Sequence, residues 1–148
     1  MSGGTRPVPA RFGGLALALG LALAGVACDD DDGPPASLEV GGEEVPVTRL
    51  ADTLQGVCLA RRQAATGDVE PARRTFFDRS HDTLHVLAVA LEEADRQKAG
   101  ELLLAKQLVE ADLKADPVRA NLVKDLGRLA EVTRSGLTRL EISTPPCE

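Results

Sequence analysis

Aromatic side chains are scarce in this chain of 148 residues, which has three phenylalanines, no tryptophan and no tyrosine. Sugar-stacking platforms, base-stacking sheets and cages for organic cations all need aromatic faces, so these classes of binding protein are disfavoured. Methionine occurs once, as the first residue. Thioether copper sites and His/Met haem ligation are therefore excluded, and no Cys-x-x-Cys-His motif offers covalent haem attachment.

Positive charge is also scarce, since 17 lysines and arginines stand against 23 aspartates and glutamates. Two of the basic residues, Arg6 and Arg11, precede an apolar run near the N-terminus, so the rest of the chain is more acidic still. The chain lacks a basic stripe that could neutralise phosphates, so nucleic acid is not an expected partner. It also lacks a surface that would bind anionic lipid headgroups.

The strongest positive signal lies at the N-terminus. After Arg6 and Arg11, a Leu/Ala-rich run over residues 15–24 leads to Gly25-Val26-Ala27-Cys28. A basic start, a short apolar core and small residues before a cleavage point are typical of a secretory signal peptide. With a cysteine directly after the small residues, the segment resembles a bacterial lipoprotein signal.

That resemblance implies that residues 1–27 are removed and that Cys28 becomes the new N-terminus, carrying a diacylglycerol thioether. A lipid group with two or three acyl chains is enough for stable anchoring, so the protein is expected on the extracytoplasmic face of the cell membrane. The alternative is a signal anchor that is never cleaved. Residues 12–27 are short for that role, because a membrane span needs roughly 20 apolar residues.

Residues 28–46 predict an acidic, Pro/Gly-rich and disordered tether. The run Asp29–Asp32 repels itself, and Gly33-Pro34-Pro35 cannot enter a helix. A few apolar residues indicate a short extended segment inside this stretch, broken by glycines and a proline. They are Leu38, Val40 and Val45.

Residues 47–148 predict one all-α domain, because apolar residues recur there at spacings of three and four. The first helix covers Val47–Ala65, and the second starts after Asp68 and ends near Glu93. The third is capped by Asp95, and the fourth starts at Asp116-Pro117, an N-cap followed by proline. Connections of a few residues force neighbours to run antiparallel, so the expected architecture is an up-down-up-down four-helix bundle.

Two cysteines remain once Cys28 is set aside, namely Cys58 and Cys147. Outside the cytoplasm such a pair is expected to form a disulfide. The bond would close a loop of about 90 residues and contribute roughly 4–5 kcal/mol on the loop-entropy estimate. The alternative is two free, buried thiols.

Both histidines of the chain, His81 and His85, lie on the second predicted helix. At four residues apart they share one face, and Asp78 falls in the same sector at about 100° per residue. Two imidazoles and a carboxylate are suitable ligands for zinc, iron or copper(II), and facing helices could add carboxylates. The alternative is a structural or pH-sensing role for the histidines.

The segment His81–His85, with the sequence His-Asp-Thr-Leu-His, also resembles the H-E-x-x-H motif of zincin proteases. That resemblance implies a metal-dependent hydrolase. Aspartate is one methylene shorter than the glutamate of the motif, however, and no third ligand follows at a spacing of that family. Proteolysis is therefore the least favoured hypothesis.

Together these patterns favour a non-enzymatic, membrane-tethered binding module with a metal site at Asp78, His81 and His85. The alternative is a structural or protein-interaction lipoprotein that docks an envelope partner through an exposed helix face. The domain after the tether resembles uncharacterised helical lipoproteins of high-GC bacteria, a resemblance that implies no mechanism.

Overall fold

The computed structural model describes residues 35–144, 146 and 147. Over these residues the chain is mostly helical and carries one small two-stranded sheet. The predicted signal peptide, the predicted lipidation site Cys28 and the run Asp29–Asp32 lie outside the described residues.

A β-hairpin opens the described part of the chain. Strand β1, Ser37–Val40, pairs antiparallel with strand β2, Glu43–Pro46. Gly41 and Gly42 form the two-residue turn, with φ angles of 60° and 84°. Positive φ at both central residues is what a type I′ hairpin turn requires, and glycine adopts it without steric cost.

The hairpin is packed onto the helices. Leu38 lies opposite Val45 in the register of the two strands, and Val40 and Val45 are buried in the core. The extended segment expected from these apolar residues is therefore present. Residues 37–46 belong to the packed domain, which corrects the expectation of a tether as far as residue 46.

Helix α1 spans Val47–Ala65, the bounds predicted from its apolar stripe. Its buried residues are Leu50, Thr53, Leu54, Gly56, Val57, Cys58 and Ala60. Arg61, one residue beyond the last of these, is exposed. Gly67 follows the helix with φ 87°, and a glycine with positive φ is a common way for a helix to end.

The second helical segment is continuous but changes its winding in the middle. Helix α2, Val69–Phe76, runs into a π-helical turn, Phe77–His81, and then into helix α3, Asp82–Ala94. The buried residues of this segment are Ala72, Phe76, Ser80, Thr83, Leu84, Leu87, Ala88 and Leu91. Asp68 does not cap α2 through its side chain, and its carboxylate accepts a hydrogen bond from Thr66 Oγ1 at 2.9 Å.

Helix α4 spans Arg96–Lys114, and its predicted N-cap is confirmed. Asp95 Oδ1 accepts a hydrogen bond from the backbone N–H of Lys98 at 3.0 Å, which satisfies one of the free donors of the first turn. The buried apolar residues of α4 are Ala99, Leu102, Ala105, Val109 and Leu113. Two charged residues, Lys106 and Asp112, are buried with them, and buried charge needs a compensating partner.

Helix α5 spans Leu122–Arg139 and starts later than expected. Asp116-Pro117 predicts a helix start, but residues 115–121 form no helix, and the Asp116–Pro117 peptide bond is cis. The chain stays exposed or half-buried up to Asn121, and the first buried residue after Pro117 is Leu122. Because tertiary packing supplies most of the stability of a short helix, the helix begins where burial begins.

The helices contact one another in a closed series. Helix α1 packs against α2 and α5, and α4 packs against α3 and α5. The shared core is aliphatic, and Phe76 is its one fully buried aromatic ring among the described residues. No helix in this part of the chain has both the length and the apolar character that crossing a membrane would require.

Candidate metal site

His81, His85 and Glu110 bring three metal-ligating atoms within 4.8 Å of one another. His81 ends the π-helical turn, His85 lies one turn further along on α3, and Glu110 lies on α4. His81 Nε2 is 3.2 Å from Glu110 Oε1, and the two imidazole ring centres are 5.3 Å apart. Among residues 35–144, 146 and 147, these are the side chains arranged closely enough to share a cation.

The orientation of His81 is set by contacts on the other side of its ring. His81 Nδ1 lies 2.8 Å from Asp82 Oδ1, and the rings of Phe77 and Phe76 lie 5.3 and 6.1 Å away, centre to centre. A carboxylate at Nδ1 favours the tautomer that carries its proton there, which leaves Nε2 free to bind a cation. Many metal-bound histidines donate the N–H of their other ring nitrogen to a carboxylate that orients the ring, and Asp82 has this position relative to His81.

Asp78 does not join this group, which changes the predicted ligand set of Asp78, His81 and His85. Its side chain is exposed, and it belongs to the π-helical turn. The expectation assumed about 100° per residue between Asp78 and His85, whereas a π turn bonds residue i to i+5 and advances less per residue. The carboxylate of the site comes from Glu110 on α4, and nothing in the sequence separates Glu110 from the other acidic residues of that helix.

Two lysines neutralise Glu110. Lys106 Nζ contacts Glu110 Oε1, and Lys114 Nζ lies 3.2 Å from Oε2. Lys106 is only 2% exposed, so its ammonium group depends on this carboxylate for compensation. Burial acts to raise the pKa of Glu110, but the hydrogen bonds from Lys106 and Lys114 outweigh it and hold the pKa below its ordinary value. Glu110 is therefore ionised at neutral pH, as a metal ligand must be.

His85 offers a neutral imidazole to the site. Its pKa is lowered because neighbouring atoms partly remove the ring from water, and because the charge of Lys106, with that of His81 when His81 is protonated, opposes its protonation. The side chain of His85 remains exposed, so a cation can reach the group from solvent on that side. Asp82 is ionised as well, since its hydrogen bond with His81 lowers its pKa.

The two cysteines that were predicted to pair lie at bonding distance. Cys58 is buried on α1, and Cys147 is exposed near the C-terminus, 89 residues later. Their Cα atoms are 5.5 Å apart, within the range of disulfides. The C-terminal segment is also tied to α1 by Gln55 Nε2, which donates a hydrogen bond to the carbonyl oxygen of Pro146 at 3.0 Å. The geometry is compatible with the predicted bond.

No protein-family profile matches this chain, and comparison with curated proteins and with solved structures gave no match. What the site can do therefore has to be judged from its donor atoms. These are two imidazole nitrogens and one carboxylate oxygen, held by two helices and reachable from solvent. Such a set suits a divalent transition-metal ion.

Proposed function

We propose that this protein is a membrane-anchored, extracytoplasmic lipoprotein whose helical domain binds a transition-metal ion through His81, His85 and Glu110. The observation that carries the proposal is the meeting of three donor atoms from two helices within 4.8 Å. Two imidazoles and one carboxylate are a donor set of zinc sites and of iron(II) sites, and imidazole also suits copper(II). The function is binding without catalysis.

The arrangement that we propose around this site is an up-down four-helix bundle, in which α2 and α3 count as one helix. The connections between the helical segments are short, at residues 66–68, at Asp95 and at residues 115–121, and short connections favour antiparallel neighbours. The closed series of contacts among the helices supports the same topology. A bundle of this kind holds side chains of facing helices at a fixed separation, as a metal site needs.

The anchoring part of the proposal depends on the lipoprotein-like segment Gly25-Val26-Ala27-Cys28. Labelling cells with radioactive palmitate tests it. We expect the wild-type chain to take up label and to sediment with membranes, and the Cys28→Ser variant to do neither, because the thioether cannot form without the thiol. A labelled Cys28→Ser chain would show that the lipid is attached elsewhere and would refute this assignment.

Metal binding would require one ion pair to rearrange. A cation shared by His81 Nε2 and Glu110 Oε1 would take the place where the ammonium group of Lys106 contacts Oε1. Lys114 can continue to neutralise Oε2, so Glu110 stays ionised when Lys106 moves away. We therefore expect Lys106→Met to raise the affinity for zinc by about tenfold or more, because a positive charge a few ångströms from the ion is removed.

Calorimetric titration of the full chain with zinc in detergent tests the metal site. We expect binding in the wild type and none in His81→Ala/His85→Ala. Glu110→Gln, made in the Lys106→Met background so that no lysine charge stays buried without a partner, should bind roughly tenfold more weakly than Lys106→Met alone. Asp78→Asn is the matched control, since it neutralises a carboxylate outside the group. A wild type without zinc binding would refute the proposal, and loss of binding in Asp78→Asn would relocate the site.

A structural or protein-interaction lipoprotein without a metal is the second candidate function. The observation in its favour is Lys106, whose buried ammonium group already compensates Glu110. If that ion pair is a purely structural link, Glu110→Gln should lower the free energy of unfolding by about 3 kcal/mol, because it leaves a buried charge without a partner. Zinc should then leave the unfolding temperature of the wild type unchanged, whereas a metal-binding domain would melt at a higher temperature with zinc.

A metal-dependent hydrolase is the least favoured function. By the resemblance to zincins, Asp82 is the counterpart of their general base. Its side chain is exposed and lies 2.8 Å from His81 Nδ1, whereas the nitrogen that faces Glu110 is Nε2. A carboxylate at Nδ1 orients the ring and lies on the wrong side to activate water on a metal at Nε2.

A further inference from the structure

A second group of reactive side chains surrounds Cys58 and Cys147. Arg134 Nη2 on α5 donates a hydrogen bond to Cys147 Sγ at 3.2 Å. Both cysteines also line a cavity of about 310 Å³ together with Arg61 and Arg62. One guanidinium group, that of Arg134, therefore lies at the sulfur of Cys147, and two more arginines line the adjoining cavity. A positive charge beside a cysteine favours its thiolate.

The two sulfur atoms differ in accessibility. Cys58 is 3% exposed, whereas Cys147 is exposed at the end of the chain. An exposed disulfide is more open to attack by thiols than one with both cysteines buried, and such bonds are more often labile or catalytic. An incoming thiolate would therefore meet Cys147 first, and the nearby arginines would attract it.

We propose that Cys58 and Cys147 form a redox-active disulfide that oxidises pairs of thiols in a client peptide or protein, with Cys147 as the sulfur that the client attacks. This site is separate from the group of His81, His85 and Glu110, and neither proposal depends on the other.

The exchange takes two steps. A client thiolate attacks Cys147 Sγ, so that a client–Cys147 disulfide forms, the bond to Cys58 breaks, and Cys58 leaves as a thiolate that takes a proton from solvent. The second client thiolate then attacks the client sulfur of the mixed disulfide, and Cys147 leaves as a thiolate beside Arg134. The client gives up two electrons and its two thiol protons and becomes a disulfide, and the protein becomes a dithiol.

Arg134 acts on the second step. A guanidinium group at hydrogen-bond distance stabilises the Cys147 thiolate, which improves it as a leaving group and favours the reduced protein. The tail makes one further contact with α1, the hydrogen bond from Gln55 Nε2 to the carbonyl oxygen of Pro146. In the proposed cycle this contact favours the return of Cys147 to Cys58, where the bond forms again.

The reactivity of Cys147 gives the first test. In the full chain with Cys28→Ser and Cys58→Ser, Cys147 is the one remaining thiol, and its alkylation by iodoacetamide is measured against pH. Adding Arg134→Gln should lower the rate at neutral pH by roughly tenfold and move the pH profile upward, because an opposite charge beside the thiolate is lost. Arg128→Gln is the matched control, since it removes an exposed arginine from the same helix and should change neither. Equal rates in the two arginine variants would overturn the role of Arg134.

Exchange itself gives the second test. The oxidised full chain with Cys28→Ser is mixed with a reduced synthetic peptide that carries two cysteines, in buffer with a chelator, and the disulfide of each is followed by mass. We expect the peptide to become oxidised while the protein is reduced. The equilibrium constant of this exchange should be about tenfold smaller for Arg134→Gln. The proposal is overturned if the peptide stays reduced, or if circular dichroism shows that reduction unfolds the helices, since the bond would then be structural.

Discussion

Replacing Gly56 by alanine tests how the π-helical turn is seated on α1. Gly56 is buried on α1, and a Cβ atom there would lie 2.2 Å from Ser80 Oγ and 3.1 Å from the Cβ atom of Arg79. Ser80 is 2% exposed and donates a hydrogen bond to the carbonyl oxygen of Thr53 at 3.1 Å. Arg79 and Ser80 belong to the turn that ends at His81, so the added methyl group would press on the segment that positions the first histidine.

The size of the effect follows from the two ways in which Ser80 can respond. If its hydroxyl group rotates away, the hydrogen bond to Thr53 is lost, at a cost of about 1 kcal/mol. If the turn moves away from α1 by about 1 Å, the disturbed packing costs about 1–3 kcal/mol. Alanine gains up to about 1 kcal/mol over glycine through its higher helix propensity. Relative to the same substitution at an unobstructed helix position, where the propensity gain is the same, we therefore expect Gly56→Ala to lower the free energy of unfolding by about 1–3 kcal/mol.

Urea unfolding followed by circular dichroism measures this change. Gly100→Ala is the matched control, because it makes the same substitution on an exposed position of α4 where a Cβ atom meets nothing within 4 Å. It should stabilise the protein by up to about 1 kcal/mol. In a Ser80→Ala background the cost of Gly56→Ala should fall by about 1 kcal/mol, since the closest atom is gone. Equal stability of the Gly56→Ala and Gly100→Ala proteins would show that the added methyl group does not disturb the turn.

Three further changes act on other parts of the core. Gly136→Ala on α5 should cost about 1–2 kcal/mol of unfolding free energy in urea, because its Cβ atom would lie 2.8 Å from a leucine methyl group of α3. Burial, and then the neighbouring carboxyl group of Asp125, raises the pKa of Asp112 above 3.8. The stability that Asp112 contributes is full at pH below 3.8 and is lost as the pH rises through the higher folded-state pKa. The free energy of unfolding of Asp112→Asn should therefore increase relative to that of the wild type between about pH 3 and about pH 8. Cys58→Ala/Cys147→Ala should cost clearly less in urea unfolding than the roughly 4–5 kcal/mol expected from loop entropy for an 89-residue loop, because free energy that a disulfide adds to the fold also opposes its reduction.

Each of these changes has a control within the chain. Gly100→Ala serves for Gly136→Ala, Asp116→Asn at an exposed aspartate serves for Asp112→Asn, and Cys28→Ser serves for the cysteine pair. Equal stability of the two glycine variants would contradict the first expectation. A difference between Asp112→Asn and the wild type that does not change with pH would contradict the second. A loss of the full loop-entropy value relative to the Cys28→Ser protein would contradict the third.

Most of the helices could be predicted because their signals are local. The bounds of α1 followed from an apolar stripe at spacings of three and four, and the start of α4 followed from Asp95, whose side chain caps the helix as expected. The late start of α5 could not be predicted in this way. Asp116-Pro117 carries the signal of a helix start, but the first buried residue after it is Leu122, and burial depends on what lies opposite.

The candidate site was predicted in part for the same reason. The pairing of His81 with His85 depends on their spacing along one helix, which the sequence displays. The exclusion of Asp78 depends on the π-helical turn, which disturbs the regular rotation along that helix. The inclusion of Glu110 depends on how α3 packs on α4, since the two contacting residues are 29 positions apart in the chain.

Local sequence patterns were sufficient to predict the helical character of residues 47–65 and 96–114 and the shared face of the two histidines, because these features depend on residues a few positions apart. The pairing expected of the last two cysteines followed from their number and not from their spacing. Which side chains of different helices meet became visible in the packed fold, as for Glu110 with His81, the buried Lys106 with Glu110, and Ser80 with Gly56. Residue spacing selects a face of a helix, whereas the rotation and shift of one helix against another depend on all their packing contacts together.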